Sequence, residues 1–314
     1  MQPSLFPLWV ITGPTGIGKT EAAFVLAQQF PIDLISVDSV MVYRGLDIGS
    51  AKPSTEELLR YPHALVDIVD PEIAYDVGRF VLDAQSAIQS SWQRGRIPLL
   101  AGGTLMYLRA LLYGLDDLPA ADSALRAKIR EEASTQGWAH LHAELAAHDP
   151  TLGELIHPQH SSRIERAVEV LRLTGASIRE FWSGPGSSTV LDPRCTPQML
   201  VLWPEQREVL RDRLAVRFDA MLDAGFLEEV RALMRRPQLT PEHPSMRSVG
   251  YRQAWQYLQG EIDFETMRRT AITATRQLAK RQLTWLRREQ TAHQLSVGAT
   301  LNTQAVLDWA ASLR

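Results

Sequence analysis

The first third of the chain alternates short apolar runs with longer segments in which apolar residues recur every three or four positions. The short runs have the length of buried strands, and the longer segments have the periodicity of amphipathic helices. The predicted strands are residues 8–12, 34–37, 64–68 and 97–101, and the predicted helices are residues 20–30, 77–95 and 105–112. Strands that alternate with helices predict an α/β fold, in which a parallel sheet carries helices on both faces.

The pattern changes after Pro119, where polar helical segments replace the strands. Residues 122–148 and 161–174 are predicted to be helical. An apolar strand returns at 199–203, and helices are predicted for most of 206–286. A lobe made only of helices therefore interrupts the α/β pattern.

The chain length also favours a main domain with an insertion, because 314 residues exceed the usual size of a single domain. We predict a main domain of residues 1–119 and 198–314 and an inserted helical domain of residues 120–197. Residues 183–197 are rich in Gly, Ser and Pro and are predicted to be a mobile connection.

Composition excludes several classes of protein. Hydrophobic residues make up 45% and charged residues 22% of the chain, which is typical of a folded globular protein. The apolar runs are too short for a membrane span, and no signal-peptide pattern is visible. The single cysteine, Cys195, excludes an internal disulfide and a cysteine-based zinc site. We therefore expect a cytoplasmic protein without a membrane partner.

Charge is distributed unevenly along the chain. Residues 268–288 include seven basic residues and no acidic residue, whereas the whole chain has a net charge of -3. On a helical wheel, Arg269, Arg276, Lys280 and Arg287 share one edge. A positive stripe of this kind favours contact with a nucleic-acid backbone, and a solvated helix face is the alternative.

A glycine-rich turn between the first strand and the first helix matches the phosphate-binding pattern G-x-x-x-x-G-K-[ST]. In such a turn the backbone N–H groups, the helix N-terminus and the lysine attract phosphate, and the threonine hydroxyl can hold Mg²⁺. The predicted polyphosphate-binding residues are Gly13, Pro14, Thr15, Gly16, Ile17, Gly18, Lys19 and Thr20. The pattern does not establish that the ligand is a nucleotide.

The carboxylate expected near this turn does not lie at the position of the aspartate in a P-loop ATPase. A P-loop ATPase has an aspartate at the end of a strand, but the strand at 97–101 ends in Gly102-Gly103-Thr104. Asp38 follows the second strand and should lie at the same edge of the sheet as the glycine-rich turn. We therefore expect Asp38, and no ATPase aspartate, beside the phosphate; a role as turn or cap residue is the alternative.

Several ordered blocks, together with the glycine-rich turn, make the chain resemble the bacterial tRNA dimethylallyltransferases, also called tRNA isopentenyltransferases. The resemblance runs from the turn to about Arg288. The blocks are Ser36-Val37-Asp38-Ser39, Asp47-Ile48-Gly49-Ser50-Ala51-Lys52-Pro53, Asp67-Ile68-Val69-Asp70-Pro71, Gly102-Gly103-Thr104-Leu105-Met106-Tyr107, Arg217-Phe218 with Met221, Val249-Gly250-Tyr251-Arg252-Gln253, and Arg276-Gln277-Leu278-Ala279-Lys280-Arg281-Gln282.

This resemblance implies an activity and a site. The enzyme would transfer a dimethylallyl group from dimethylallyl diphosphate to N6 of the adenosine 3′ of the anticodon, through a tunnel in the main domain. By resemblance, Asp38 is the base toward the adenine amine and Thr104 lies beside it. Lys19 and Arg217 hold the diphosphate, with Mg²⁺ near Thr20.

The resemblance also implies a surface for the anticodon stem-loop of tRNA, and we expect the protein to act as a monomer. The residues implied to face the tRNA are Asp38, Ser39, Val40, Met41, Thr104, Arg126, Ser162, Arg163, Arg166, Arg247, Arg252, Arg276, Gln277, Lys280 and Arg281.

Other interpretations of the same residues stay open. A prenyltransferase for free adenine nucleotides would share the P-loop chemistry without needing the basic helix, and a small-molecule P-loop kinase would need ATP turnover. A P-loop RNA-binding scaffold without catalysis is a further alternative. Five histidines show no metal-binding spacing and are predicted to be structural or surface residues; they are His140, His142, His157, His160 and His243. Trp255 and Trp285 lie among apolar helical residues and are predicted to belong to the core.

Overall fold

The structure is a computed structural model that describes residues 6–182, 191–289 and 291–313. The predicted connection at 183–197 lies largely outside the described residues. Its last residues, from Thr196 onward, begin a strand.

All the strands found in the described residues belong to one parallel sheet with the order β3-β2-β4-β1-β5-β6. The strands are β1 (Pro7–Thr12), β2 (Ile32–Val37), β3 (His63–Ala64), β4 (Ile97–Gly102), β5 (Thr196–Pro204) and β6 (His293–Val297). The predicted parallel sheet is confirmed. The strand predicted at 64–68 is only a two-residue edge strand, and β6 was not predicted because its exposed polar residues mask its apolar pattern.

Helices account for most of the remaining described residues. They are α1 (Lys19–Gln29), α2 (Thr55–Arg60), α3 (Val77–Gln93), α4 (Leu105–Tyr113), α5 (Ser123–Gln136), α6 (Trp138–His148), α7 (Pro150–Leu155), α8 (Ser161–Thr174), α9 (Arg207–Asp223), α10 (Phe226–Met234), α11 (Tyr251–Leu258), α12 (Phe264–Leu286) and α13 (Thr303–Ala311). The helix predicted at 122–148 is two helices, because Gly137 between them adopts a positive φ of 82°.

The sheet is buried on both faces, which explains why its strands are continuous apolar runs. In β1, Leu8 and Val10 pack into one hydrophobic core, and Trp9 and Ile11 pack into a second core. Successive side chains of a strand point to opposite faces, so the two cores lie on the two sides of the sheet. Helices cover each side, as the alternating pattern predicted.

The chain divides into two compact units. One consists of Met1–Leu112 and Val190–Arg314, and the other is Tyr113–Thr189. From the sequence we predict domain boundaries at 119/120 and 197/198. No helix among the described residues is long and apolar enough to cross a membrane.

The smaller unit has its own apolar core and a charged cluster around Glu169. This glutamate of α8 is fully buried, and its carboxylate accepts hydrogen bonds from Arg126 and Arg166 and from the backbone N–H of Asp122. Burial alone would raise the pKa of Glu169, but the hydrogen bonds from the two arginines hold it below its ordinary value. The cluster links α8 to the N-terminus of α5.

We predict that Glu169→Ala destabilises the smaller unit by about 3 kcal/mol or more, because two arginines lose the charge that compensates their partial burial. Since the folded-state pKa is lowered, acid should have the same effect in the wild type: this stabilisation is present above the unfolded pKa of Glu169 and is lost as pH falls through its folded value. Hydrogen exchange of α5 and α8 would measure it. Glu154→Ala, at an exposed glutamate of the same unit, is the control, and equal protection in both variants would contradict the prediction.

Candidate active site at the carboxyl edge of the sheet

The register of three neighbouring strands brings three turns together. Gly102 pairs with Thr12 of β1 on one side and with Val37 of β2 on the other. The glycine-rich turn, Asp38 and Thr104 each follow one of these strand ends. Residues from three distant parts of the sequence therefore meet at one edge, as the sequence predicted for Asp38.

The glycine-rich turn runs from β1 into the N-terminus of α1. Gly16 and Gly18 have φ values of 77° and 105°, which other residues adopt at a cost. A Cβ atom at Gly16 would also lie 2.7 Å from Leu214 Cδ2. Arg213 donates hydrogen bonds to the carbonyl oxygens of Gly16 and Gly298, and so fixes the turn from outside.

Lys19 is partly buried at the first turn of α1. Its Nζ donates to the carbonyl oxygen of Pro14 over 2.9 Å. Burial lowers the pKa of Lys19 to about 8; the negative charge of Asp38 opposes this shift and the positive charge of Arg217 adds to it. Because the buried ammonium group is poorly solvated, it gains more from contact with an anion than an exposed lysine would.

No side chain occupies the place of an ATPase aspartate after β4. A Cβ atom at Gly103 would lie 2.7 Å from Gln282 Nε2 and 3.3 Å from Lys19 Nζ, so a side chain here would displace Gln282 and crowd Lys19. Three carboxylates line the cleft, those of Asp38, Glu21 and Glu57, and of these Asp38 directly follows a strand and acts on the charge of Lys19.

Gln282 of α12 connects the two loops of the site. Its Nε2 donates to the carbonyl oxygen of Gly103 over 2.7 Å, and its Oε1 accepts the backbone N–H of Thr15 over 2.9 Å. The residue is buried. Sequence reasoning placed it in a block facing the tRNA and missed this role, because only the packing of α12 reveals the direction of the side chain. The N–H of Thr15, expected to bind diphosphate, is already used here.

Asp38 forms a tight turn after β2. Its Oδ1 accepts the backbone N–H groups of Val40 over 2.8 Å and Met41 over 3.2 Å. Thr104 holds the next residue, since its Oγ1 accepts the N–H of Ser39 over 3.1 Å. One carboxylate oxygen of Asp38 thus orients the side chain, and Oδ2 makes no hydrogen bond within the described residues.

Two cavities meet at these residues. The first, of about 430 Å³, is lined by the glycine-rich turn, Lys19, Thr20, Asp38, Met41 and Arg217. The second, of about 280 Å³, is lined by Ser39, Val40, Arg247 and the apolar side chains of Phe218, Met221 and Leu278. Asp38 and Arg217 line both. Burial lowers the pKa of Arg217, and Asp38 opposes that shift.

The loop after residue 46 closes one wall of these cavities and is held by Glu229 of α10. The Glu229 carboxylate accepts the backbone N–H groups of Asp47, Ile48 and Gly49 and the hydroxyl of Tyr251. Burial and the charge of Glu229 raise the pKa of Tyr251 well above its ordinary value, so this hydroxyl remains a donor. The sequence gives no signal for Glu229, because it is one glutamate among many on helices.

The residues expected to face tRNA are distributed over both units, and some of them are engaged in contacts within the protein. Arg126 and Arg166 donate to Glu169 in the smaller unit, where Ser162 and Arg163 are exposed on the first turn of α8. In the larger unit, Arg276 donates to the carbonyl oxygen of Arg211. The exposed members of the larger unit are Arg247, Arg252, Gln277, Lys280 and Arg281.

One aromatic residue lies elsewhere than predicted. Trp255 is buried at 4% exposure, as expected, but Trp285 is 43% exposed. The prediction that Trp285 belongs to the core is wrong. Leu283 and Leu286 occupy the buried face of α12, and Trp285 lies outside it.

The first cavity has a suitable set of donors for Mg²⁺. The hydroxyls of Thr20 and Ser36 and the carboxylate of Asp38 all line it. Magnesium prefers such oxygen ligands and usually binds one or two carboxylates together with phosphate oxygens of the substrate. Thr20 therefore fits the role that the sequence assigned to it.

A parallel sheet and a glycine-rich turn that leads from its first strand into a helix define a P-loop-like fold. The sequence model of the IPP transferase family matches residues 41–289, and that of isopentenyl transferase matches residues 6–67. The chain belongs to the IPP transferase family.

Individual relatives agree with this. The tRNA dimethylallyltransferase of Thioalkalivibrio sulfidiphilus is 52% identical over 91% of this chain and 88% of its own length, and that of Alkalilimnicola ehrlichii is 50% identical over 92% and 90%. The crystal structure of the tRNA isopentenylpyrophosphate transferase of Bacillus halodurans has a TM-score of 0.71 at 31% identity, covering 98% of this chain and 96% of that one. A eukaryotic dimethylallyltransferase acting on tRNA has a TM-score of 0.74 at 27% identity, covering 95% and 75%.

We predict that the lowered pKa of Lys19 makes binding of dimethylallyl diphosphate depend on pH. The protonated lysine binds the anion more tightly, so affinity should be full below pH 8 and fall as pH rises above 8, by at most about tenfold per pH unit. Calorimetric titration without tRNA measures this. Lys19→Arg, which stays charged, should show a flat profile. A flat profile in the wild type would contradict the prediction.

We predict that Gln282→Met weakens binding of dimethylallyl diphosphate by about tenfold, because the N–H of Thr15 and the carbonyl of Gly103 lose their partner, a loss of about 1–3 kcal/mol at a buried site. Isothermal titration against Gln277→Met, an exposed glutamine on the same helix, isolates the effect. If both variants bind like the wild type, Gln282 does not maintain the diphosphate site.

Proposed function

We propose that this protein transfers the dimethylallyl group of dimethylallyl diphosphate to N6 of the adenosine 3′ of the anticodon in tRNA, and releases diphosphate. Family membership supports the reaction type. The observation that carries the proposal is the meeting of two cavities at Asp38 and Arg217, one lined by the P-loop and the other by largely apolar side chains.

The first cavity suits the diphosphate. The amides of the P-loop, the N-terminus of α1, Lys19 and Arg217 supply positive potential in a partly buried cleft. Negative charge builds up on the diphosphate as the bond between its oxygen and the allylic carbon breaks. Donors directed at this charge act most strongly in the transition state, and therefore accelerate the reaction.

The second cavity suits the acceptor adenosine. The exocyclic amine is a weak nucleophile, because its lone pair is delocalised into the ring. As nitrogen forms its bond to the allylic carbon, its proton becomes acidic and a nearby base must take it. We assign this role to Asp38. Its Oδ1 accepts the N–H groups of Val40 and Met41, which supports the assignment because Oδ2 is left for the proton.

Mg²⁺ bound at Thr20 and at oxygens of the diphosphate would neutralise part of the leaving-group charge. The residues of this chain hold the remaining charge, through Lys19 and Arg217. In this reaction one C–O bond breaks and one C–N bond forms. The electron pair of the broken bond leaves with the diphosphate, and the N6 proton passes to Asp38.

The acceptor must reach the site without a neighbouring base stacked on it, so the adenosine has to be unstacked or extruded. An adenosine in a loop is cheaper to extrude than one in a paired stem. The exposed cations of α12 suit the backbone of a folded RNA, and a free nucleotide would not need them. This favours tRNA over free adenine nucleotides. The absence of a carboxylate after β4 disfavours a kinase. We propose a cytoplasmic location and a monomer.

The reaction can be tested directly by mass spectrometry. Unmodified tRNA with adenosine 3′ of the anticodon would be incubated with the protein, Mg²⁺ and dimethylallyl diphosphate, and its nucleosides analysed. The proposal expects one added dimethylallyl group on that adenosine and release of diphosphate. Prenylation of free AMP, ADP or ATP without modification of tRNA, or ATP turnover alone, would refute it.

We predict that Asp38→Asn keeps substrate binding but slows the chemical step by about 10² to 10⁴-fold, the usual contribution of a general base. The asparagine oxygen can still accept the N–H groups of Val40 and Met41, so the turn should survive the substitution. Single-turnover rates with saturating tRNA and diphosphate affinity would be measured together.

Two outcomes would contradict this role of Asp38. A near-normal single-turnover rate would remove it from proton transfer. A loss of diphosphate affinity that extra Mg²⁺ restores would make it a metal ligand instead.

A further inference from the structure

Apart from Arg281, the members of one aromatic and cationic patch lie outside the residues already assigned. It consists of Trp285, Arg281 and Arg288 from α12 and the turn after it, and Met106 and Arg109 from α4. Trp285 is 43% exposed and Met106 is 55% exposed, although both are large apolar side chains. Large apolar side chains that are exposed together and lie beside charged side chains indicate a binding surface.

The members of the patch are held together by two helices. The Arg109 guanidinium lies 5.9 Å from the centre of the Trp285 ring, which is within the range of a cation–π contact. Met106 precedes Arg109 by three residues, so the two share a face of α4. Arg281 stands four residues before Trp285 and shares its face of α12. Arg288 lies in the turn after the helix, where its backbone N–H donates to the carbonyl oxygen of Trp285.

The charges of the patch are available to a partner. Arg109, Arg281 and Arg288 are exposed, and none of them forms an ion pair with another described residue. Glu289 directly follows Arg288, and α12 itself has no acidic residue between Glu265 and its end. The patch therefore combines a flat aromatic ring with exposed positive charge, which suits an unpaired nucleotide.

The patch is also continuous with the site. Arg109 and Met106 belong to the helix that begins directly after Thr104. On α12, Trp285 follows by one turn the residue Gln282, whose side chain holds the P-loop and the turn after β4. The same two elements that build the site therefore present the patch.

We propose that Trp285, with Arg109 over its ring, is a stacking platform for an unpaired base of the anticodon loop, next to the extruded adenosine. The inference rests on the proposed function and adds a specific contact to it. Extrusion of one base leaves its neighbours without a stacking partner, and an aromatic ring beside a guanidinium replaces that partner whatever the base. Arg281 and Arg288 hold the flanking phosphates.

The test compares Trp285→Ala, Trp285→Phe and Phe264→Ala in binding of an anticodon stem-loop. Phe264 is a matched control, because it is an exposed aromatic residue at the opposite end of α12. Trp285→Ala should weaken binding by about 5- to 150-fold, as expected for one lost stacked base. Trp285→Phe should remain within about threefold of the wild type, and Phe264→Ala should bind normally.

The dependence of binding on salt separates stacking from charge. Because an aromatic ring releases no counterions, Trp285→Ala should leave the slope of log affinity against log salt unchanged. Arg281→Ala should flatten that slope by about 0.7 to 0.9 for a lost phosphate contact. Binding of dimethylallyl diphosphate should be unchanged in Trp285→Ala, which also shows that the variant is folded.

The stacked base can be located with 2-aminopurine placed at each unpaired loop position in turn. Its fluorescence should be quenched on binding at one position, and the quenching should disappear in Trp285→Ala. If Trp285→Ala binds the stem-loop like Phe264→Ala, the tryptophan and Arg109 form only a surface pair and the inference is refuted while the proposed function stands. If the wild type binds no stem-loop, both are refuted.

Discussion

The site depends on two partly buried cations, Lys19 and Arg217, that line the same cleft as the carboxylate of Asp38. Lys19 and Arg217 both lose solvation there, which lowers the pKa of each, and Asp38 offsets only part of that cost. Two cations that lose solvation in this way favour a polyanion as their partner. In the proposed reaction, the same arrangement serves the leaving diphosphate and Asp38 as the base.

This arrangement requires that the loops around the cleft keep their positions while charge builds up on the leaving group. Gln282 ties the P-loop to the turn after β4, Arg213 fixes the P-loop at Gly16, and Glu229 holds the backbone of residues 47–49. Each anchor comes from a helix in the C-terminal half of the chain. Of these helices, α12 also carries the cations proposed to contact RNA, and preorganised donors contribute most to a transition state.

The fold was largely predictable because the signals are local. The apolar runs of β1, β2 and β4 are continuous, since both faces of the sheet are buried, and glycine, lysine and threonine stand at the spacing that a phosphate turn needs. The half-exposed edge strand β6 was missed because it has too little periodicity to stand out from loops. The strand predicted at 64–68 is reduced to the two residues of β3.

The alternation of the main strands and helices, the position of the phosphate turn, the placement of Asp38 at the sheet edge and the resemblance to the family could all be derived from the sequence alone. The direction of side chains on the helices could not, because it depends on tertiary packing. Gln282 and Trp285 are three residues apart on α12, yet one is buried against the P-loop and the other is exposed beside Arg109. Periodicity defines which residues share a helix face, but which face meets the sheet depends on packing among distant elements.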